Sequence, residues 1–148
     1  SFEDKWKRSG YGKDIGKLLK KHKLEDDVVF LGTLSEEQMI KEYLAAHIFI
    51  CPSSIENSPN SLGEAQLLGV PVIAAYVGGI PDMIEDRETG LLYRFEEVEM
   101  LMEEIRCVFK DNNFASKLSL KGIEAATLRH HKNNILESTI AIYNTINE

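Results

Sequence analysis

The chain has 148 residues, 43% of them apolar and 28% charged, which is enough to bury one core and ordinary for a soluble globular protein. Its formal charge of −7, from 17 basic and 24 acidic residues, argues against a nucleic-acid surface as the main function. No apolar run is long enough to cross a bilayer, and the opening "SFEDKWKRSG" has no apolar signal region.

The first recognisable element is "KLLKKHK" (17–23), whose lysines alternate with leucines at helical spacing and read as a solvated helix face. "VVFLG" (28–32) is the first of four short apolar runs with the look of buried strands. The others are "IFICP" (48–52), "PVIAA" (71–75) and "GLLYRF" (90–95). None shows the polar alternation of a one-sided sheet, so the pattern predicts parallel strands covered on both faces by helical crossovers.

The intervening segments agree. "SEEQMIKEYLAA" opens on a serine cap and puts Met39, Ile40, Tyr43 and Leu44 on one stripe. "SLGEAQLLG" predicts a short helix closed by Gly69 and Pro71, and "GGIPDMIED" another with Pro81 near its start. "EEVEMLMEEIRCVF" carries Val98, Leu101, Met102, Ile105, Val108 and Phe109 on one face. A last helical pattern follows through Ile135, Leu136, Ile140, Tyr143 and Ile146. The fold class is therefore α/β: a Rossmann-like, mostly parallel sheet with helices on both faces and a helical C-terminal extension. The divisions are an N-terminal helix region (1–27), a β/α core (28–95) and the extension (96–148) of a single domain.

Cys51 and Cys107 lie in apolar segments and read as reduced core residues. The four histidines show no metal-ligand spacing, so no metal and no cofactor are expected.

The chemistry concentrates in "SSIENSPNSLGEAQLLGVP" (53–71), just beyond the second predicted strand. Ligands of open α/β sheets sit beyond the carboxyl ends of strands, beside helix N-termini. A helix starting near Asn60 or Ser61 would offer unpaired N–H groups and a positive dipole end to a phosphate or diphosphate. Glu64, as an acceptor, suits the vicinal diol of a ribose, and Glu56 could accept from the hydroxyls of a sugar. The competing reading is a capping box, in which Ser61 caps the helix and Glu64 bonds back to the Ser61 N–H. On local pattern alone the cap is favoured, because capping boxes far outnumber diol-binding glutamates.

A longer stretch shifts that balance. "CPSSIENSPNSLGEAQLLGVPVIAAYVGGIPDMIEDRETGLLY" (51–93) resembles the C-terminal domain of family 4 of the retaining glycosyltransferases. The shared features are a strand ending in Pro-Ser, two glutamates with seven residues between them, Gly-x-Pro-Val, Gly-Gly-x-Pro and Thr-Gly-Leu-Leu. "DDVVFLGTLSEEQM" (26–39) matches the preceding strand and helix of that family. The resemblance implies a nucleotide-sugar donor site in one of two facing Rossmann-like domains. Glu64 would accept from the ribose. Glu56, as the catalytic candidate, would contact the transferred sugar. Backbone N–H groups of Asn57, Ser58, Asn60, Ser61 and Leu62 would reach sugar and diphosphate, and the turn at Gly32, Thr33 and Leu34 would lie against the base. Gly78 and Gly79 read equally as a sharp turn and as a ligand contact. Gly63 and Asp82 depart from the common family pattern, as does the polar loop "ENSPNS", and these differences bear on the donor.

The resemblance further implies a fragment of a longer protein. Family members carry an acceptor domain and two further β-α units ahead of this region, the first holding a basic diphosphate clamp. The expected activity is transfer of a sugar, with retention, from a nucleotide diphosphate to a glycan or lipid-linked hydroxyl acceptor. It would need the missing N-terminal domain as partner and no nucleic acid, and this chain alone should be inactive. The expected place is the cytoplasm, peripheral to the inner membrane face. Alternatives are an epimerase or phosphorylase-like enzyme of the same fold, or a non-catalytic nucleotide-binding or assembly module that self-associates through an open sheet edge.

Overall fold

The computed structural model describes residues 10–146, and the first part of the predicted N-terminal helix region lies outside them. The chain forms two compact units, Ser1–Met39 and Ile40–Glu148.

In the first unit, helix α1 (Gly10–His22) carries the basic run in its last turn. The start of helix α2 (Glu36–Ala45) is a realised capping box. The Gln38 N–H donates to Ser35 Oγ at 3.4 Å, and the Ser35 N–H donates to Gln38 Oε1 at 2.9 Å. Between the two helices the predicted strand at 28–32 does not form. An apolar run becomes a strand only when a neighbour completes its hydrogen-bond ladder. No strand among the described residues pairs with it, and Val29 is 77% exposed.

The second unit is built on three parallel strands in the order β1 (Phe49–Cys51), β2 (Val72–Ala75), β3 (Leu91–Tyr93). Phe49 pairs with Val72 and Ile73 with Leu91. All four residues of the central strand are buried, as expected of a strand covered on both faces. Val72 and Ala74 join Tyr43, Leu62, Ala65, Ile80 and Met83 in one apolar cluster. Their neighbours Ile73 and Ala75 point the other way, to Val108 and Leu118. Helix α3 (Asn60–Leu67) lies in the first layer, and helices α4 (Val98–Lys110) and α5 (Asn112–His130) supply the second. Helix α6 (Lys132–Ile146) completes the predicted helical extension. The fold is thus an α/β, Rossmann-like parallel sheet with helices on both faces.

The predicted helix over "GGIPDMIED" shrinks to a 3₁₀ turn, Ile80–Asp82, with Pro81 in its first positions. Beyond it, local bonds hold a different path: the Glu85 N–H donates to Thr89 Oγ1 at 2.8 Å, and the Leu92 N–H donates to Asp86 Oδ1 at 2.9 Å. Asp111, between α4 and α5, caps α5 by accepting from the Asn113 and Phe114 N–H groups at 2.9 and 3.0 Å. No helix among the described residues is long and apolar enough to cross a membrane.

Candidate functional site

The loop from Pro52 to Pro59 leaves the carboxyl end of β1 and delivers the chain to the start of α3. Residue Pro59, buried and extended at φ −68°, ψ 118°, occupies the position before the helix. Proline has no side-chain acceptor, and no side chain caps the helix. The capping-box reading of "SLGE" therefore fails: Ser61 lies inside the helix, two residues past the cap position held by Pro59. The start of α3 is open in a way that the start of α2 is not.

Of its first N–H groups, that of Leu62 is taken by the Pro59 carbonyl at 3.1 Å, and the Leu62 side chain is fully buried. Leu62 is thereby withdrawn from the predicted ligand contacts. The N–H groups of Asn60 and Ser61 remain at the positive end of the helix dipole, with Asn57 and Ser58 exposed just ahead of them.

Two carboxylates flank this opening. Glu56 is half-buried and accepts from Ser53 Oγ at 3.1 Å. Glu64 is exposed on α3, and one of its oxygens, Oε2, lies 3.4 Å from the Tyr43 hydroxyl. The same hydroxyl lies 3.2 Å from the Ser61 carbonyl oxygen, so its single proton serves two acceptors. An ionised carboxylate has about four acceptor positions, so contact with one phenol leaves capacity for a diol.

Burial, and secondarily the Glu64 carboxylate beside it, raise the Tyr43 phenol above its ordinary value of 10.0. The folded state thus holds this proton more tightly than the unfolded chain. The associated stability is fully present below about pH 10 and is lost as pH rises through the folded value. Glu64→Gln removes the charge and leaves the burial. The Tyr43 titration should then move down toward 10.0 without reaching it. Tyrosinate difference absorbance against Tyr43→Phe reads this directly, and an unmoved midpoint would contradict the contact.

The loop is held from behind. Gly78, at φ +53°, and Gly79 follow β2 and pack on the loop's own backbone. A Cβ on Gly78 would be driven into the Glu56 carbonyl, and one on Gly79 into the Asn57 carbonyl. The glycine pair therefore acts on the site by close approach of backbone to backbone. Ser58 Oγ donates to Met83 Sδ at 3.4 Å, a second tie to the segment after β2. Gly32, Thr33 and Leu34 belong to the first unit.

Two features escaped the sequence reading. Tyr43 was visible only as part of an apolar stripe, although a buried phenol calls for an acceptor. Arg129, at the end of α5, had no local signal at all. It donates from Nη1 to the Met83 carbonyl at 2.9 Å and from Nη2 to Gln66 Oε1 at 2.5 Å. Burial pushes its pKa below the ordinary guanidinium value.

The model of the family described as glycosyl transferases group 1 matches residues 9–125. The chain belongs to this family. It is 30% identical over 118 residues to the D-inositol 3-phosphate glycosyltransferase of Acidothermus cellulolyticus, covering 80% of this chain and 26% of that protein. Among solved structures it resembles sucrose-phosphate synthase from Thermosynechococcus elongatus, with a TM-score of 0.81 and 28% identity over 95% of this chain and 36% of that one. The Anabaena protein Alr3699/HepE, solved with UDP-glucose, shares the fold at a TM-score of 0.79 and 23% identity, over 93% of this chain and 36% of its own. This group 1 chain thus spans about a quarter to a third of the proteins it matches.

Proposed function

We propose that the chain is the donor-binding part of a longer, retaining glycosyltransferase of family 4, and that its ligand is a nucleotide-diphosphate sugar. The observation that carries this reading is the uncapped start of α3, placed between Glu56 and Glu64. The Asn60 and Ser61 N–H groups would meet the diphosphate. Glu64 would accept from the ribose hydroxyls and Glu56 from the sugar, with Asn57 and Ser58 alongside. The turn at Gly32, Thr33 and Leu34 would face the base. The UDP-glucose bound by the Anabaena protein of the same fold is consistent with such a ligand.

The reaction is transfer of the sugar, as a hexosyl or related group, to a hydroxyl of a glycan or lipid-linked acceptor. It requires stabilisation of the departing diphosphate and of an oxocarbenium-like sugar. The helix start contributes to the first and the Glu56 carboxylate to the second. No general base is needed from this part, and no metal or cofactor is given a role. The acceptor site and further cationic groups would come from an N-terminal domain of the same protein, so this chain alone would be inactive. The expected setting is polysaccharide assembly in the cytoplasm, with the whole protein at the inner membrane face and no nucleic acid as partner.

Glu56 separates the sugar from the nucleotide. Glu56→Gln should weaken a nucleotide sugar about tenfold, the value of one charge-assisted hydrogen bond, while leaving the free nucleoside diphosphate unchanged. Parallel titrations by ligand-observed NMR measure the ratio, and equal losses for both ligands would remove Glu56 from the sugar. A second reading, self-association, is favoured by one observation: β1 pairs only with β2 among the described residues, leaving its other edge open. Concentration-dependent dimerisation that ignores every nucleotide would support that reading instead.

A further inference from the structure

Helix α5 runs antiparallel to α3 along the side of that helix away from Glu64. Ser119 and Ile123 lie against Gly69, Gly122 against Gln66, and His130 against Gly63. The imidazole sits close enough that a Cβ on Gly63 would lie 2.7 Å from its Nε2. The last turn of α5 therefore reaches the N-terminal half of the helix that carries the proposed donor contacts.

Arg129 gives this approach a defined geometry. Its fork spans two segments that bear on the site from different directions. One arm holds Gln66, which is 1% exposed, lies two residues beyond Glu64, and donates from Nε2 to the Thr89 carbonyl at 3.0 Å. The other arm holds the carbonyl of Met83, whose sulfur receives the Ser58 hydroxyl. Both acceptors are neutral, and Nε is buried without a hydrogen-bond partner. An ion pair is therefore not what keeps an arginine here. Two divergent N–H donors in one rigid plane are a property of guanidinium, and an ammonium on a flexible stem does not reproduce them.

We infer that Arg129 is a positioning residue for the proposed donor site, acting through Gln66 on the helix that carries Glu64 and through Met83 on the loop at Ser58. This rests on the donor reading above. A staple that serves stability alone would occupy the same place, so the two must be separated by a readout that stability does not move.

The experiment uses Arg129→Met and Arg129→Lys in the 148-residue chain. Leu118→Ala serves as a destabilising control, because Leu118 is buried in the cluster on the opposite face of the sheet. Amide shifts of residues 57, 58 and 60–64 are recorded below the onset of unfolding, and each variant is titrated with UDP-glucose, GDP-mannose and ADP-glucose. Arg129→Met should displace those amides and weaken the bound nucleotide sugar about tenfold, with Arg129→Lys between it and the parent. The double variant with Gln66→Met should bind no more weakly than the worse single one. Leu118→Ala should leave both readouts unchanged despite its loss of stability. Should Arg129→Met fail to fold, Arg129→Lys carries the same comparison. Unmoved amides with unchanged affinity overturn the inference, as does an equal effect from Leu118→Ala. If the parent chain binds none of the three, the donor reading falls, and the amide shifts alone then decide whether Arg129 sets the loop.

Discussion

Gly78→Ala is expected to destroy the proposed donor site while leaving the three-stranded sheet in place. The new methyl group would enter the space of the Glu56 carbonyl, which is backbone and cannot swing aside. Gly78 also has φ +53°, where a side chain adds about 1–2 kcal/mol of its own. Overpacking adds about 1–3 kcal/mol more, and the least costly relief is retreat of the 53–58 loop, which is exposed over most of its length. Glu56 and Asn57 would then leave their places together. Binding of a nucleotide sugar should fall beyond detection, whereas far-ultraviolet circular dichroism should stay close to that of the parent. Gly79→Ala, which drives its methyl into the Asn57 carbonyl, should do the same. A folded Gly78→Ala variant that binds like the parent would show that the loop's backbone position is immaterial to the ligand.

Glu64→Ala is expected to weaken nucleotide and nucleotide sugar alike by about 10- to 150-fold, since hydrogen bonds to a charged acceptor contribute about 1.5–3 kcal/mol. Its cost in stability should be small. Glu64 is exposed, it caps nothing, and the Tyr43 hydroxyl retains the Ser61 carbonyl as acceptor. Glu64→Gln keeps one carbonyl oxygen and should fall between alanine and the parent. The capping-box account makes the opposite forecast, about 1 kcal/mol of lost stability and no change in binding. A titration paired with a urea melt decides between them.

The parts of this molecule legible in its sequence are those fixed by local rules. "IFICP", "PVIAA" and "GLLYRF" became β1, β2 and β3 because short runs without polar alternation suit strands covered on both faces. Ser35 with Gln38 made the cap that its spacing announces. "VVFLG" carries the same composition and formed no strand, because a ladder needs a partner that composition does not supply. Around the site, Ser61 and Glu64 had the spacing of a capping box, but with Pro59 in the cap position the helix begins two residues earlier than that box requires, and its start is left open. The roles of Tyr43 and Arg129 depend on contacts 21 and 63 residues away in the chain, beyond the reach of any periodicity. Gly78 and Gly79 were visible as a turn. Their packing against Glu56 and Asn57 became apparent only once β1 and β2 lay side by side.

The central claim is that the open start of α3 and Glu64 together hold a nucleotide diphosphate. Ligand-observed NMR of the chain with UDP-glucose, GDP-mannose and ADP-glucose, beside Glu64→Ala, tests it most directly. The account predicts a saturable signal from one of the three, centred on ribose and diphosphate neighbours and largely lost in the variant. A folded parent chain that is silent toward all three, or a signal that Glu64→Ala leaves intact, would contradict it.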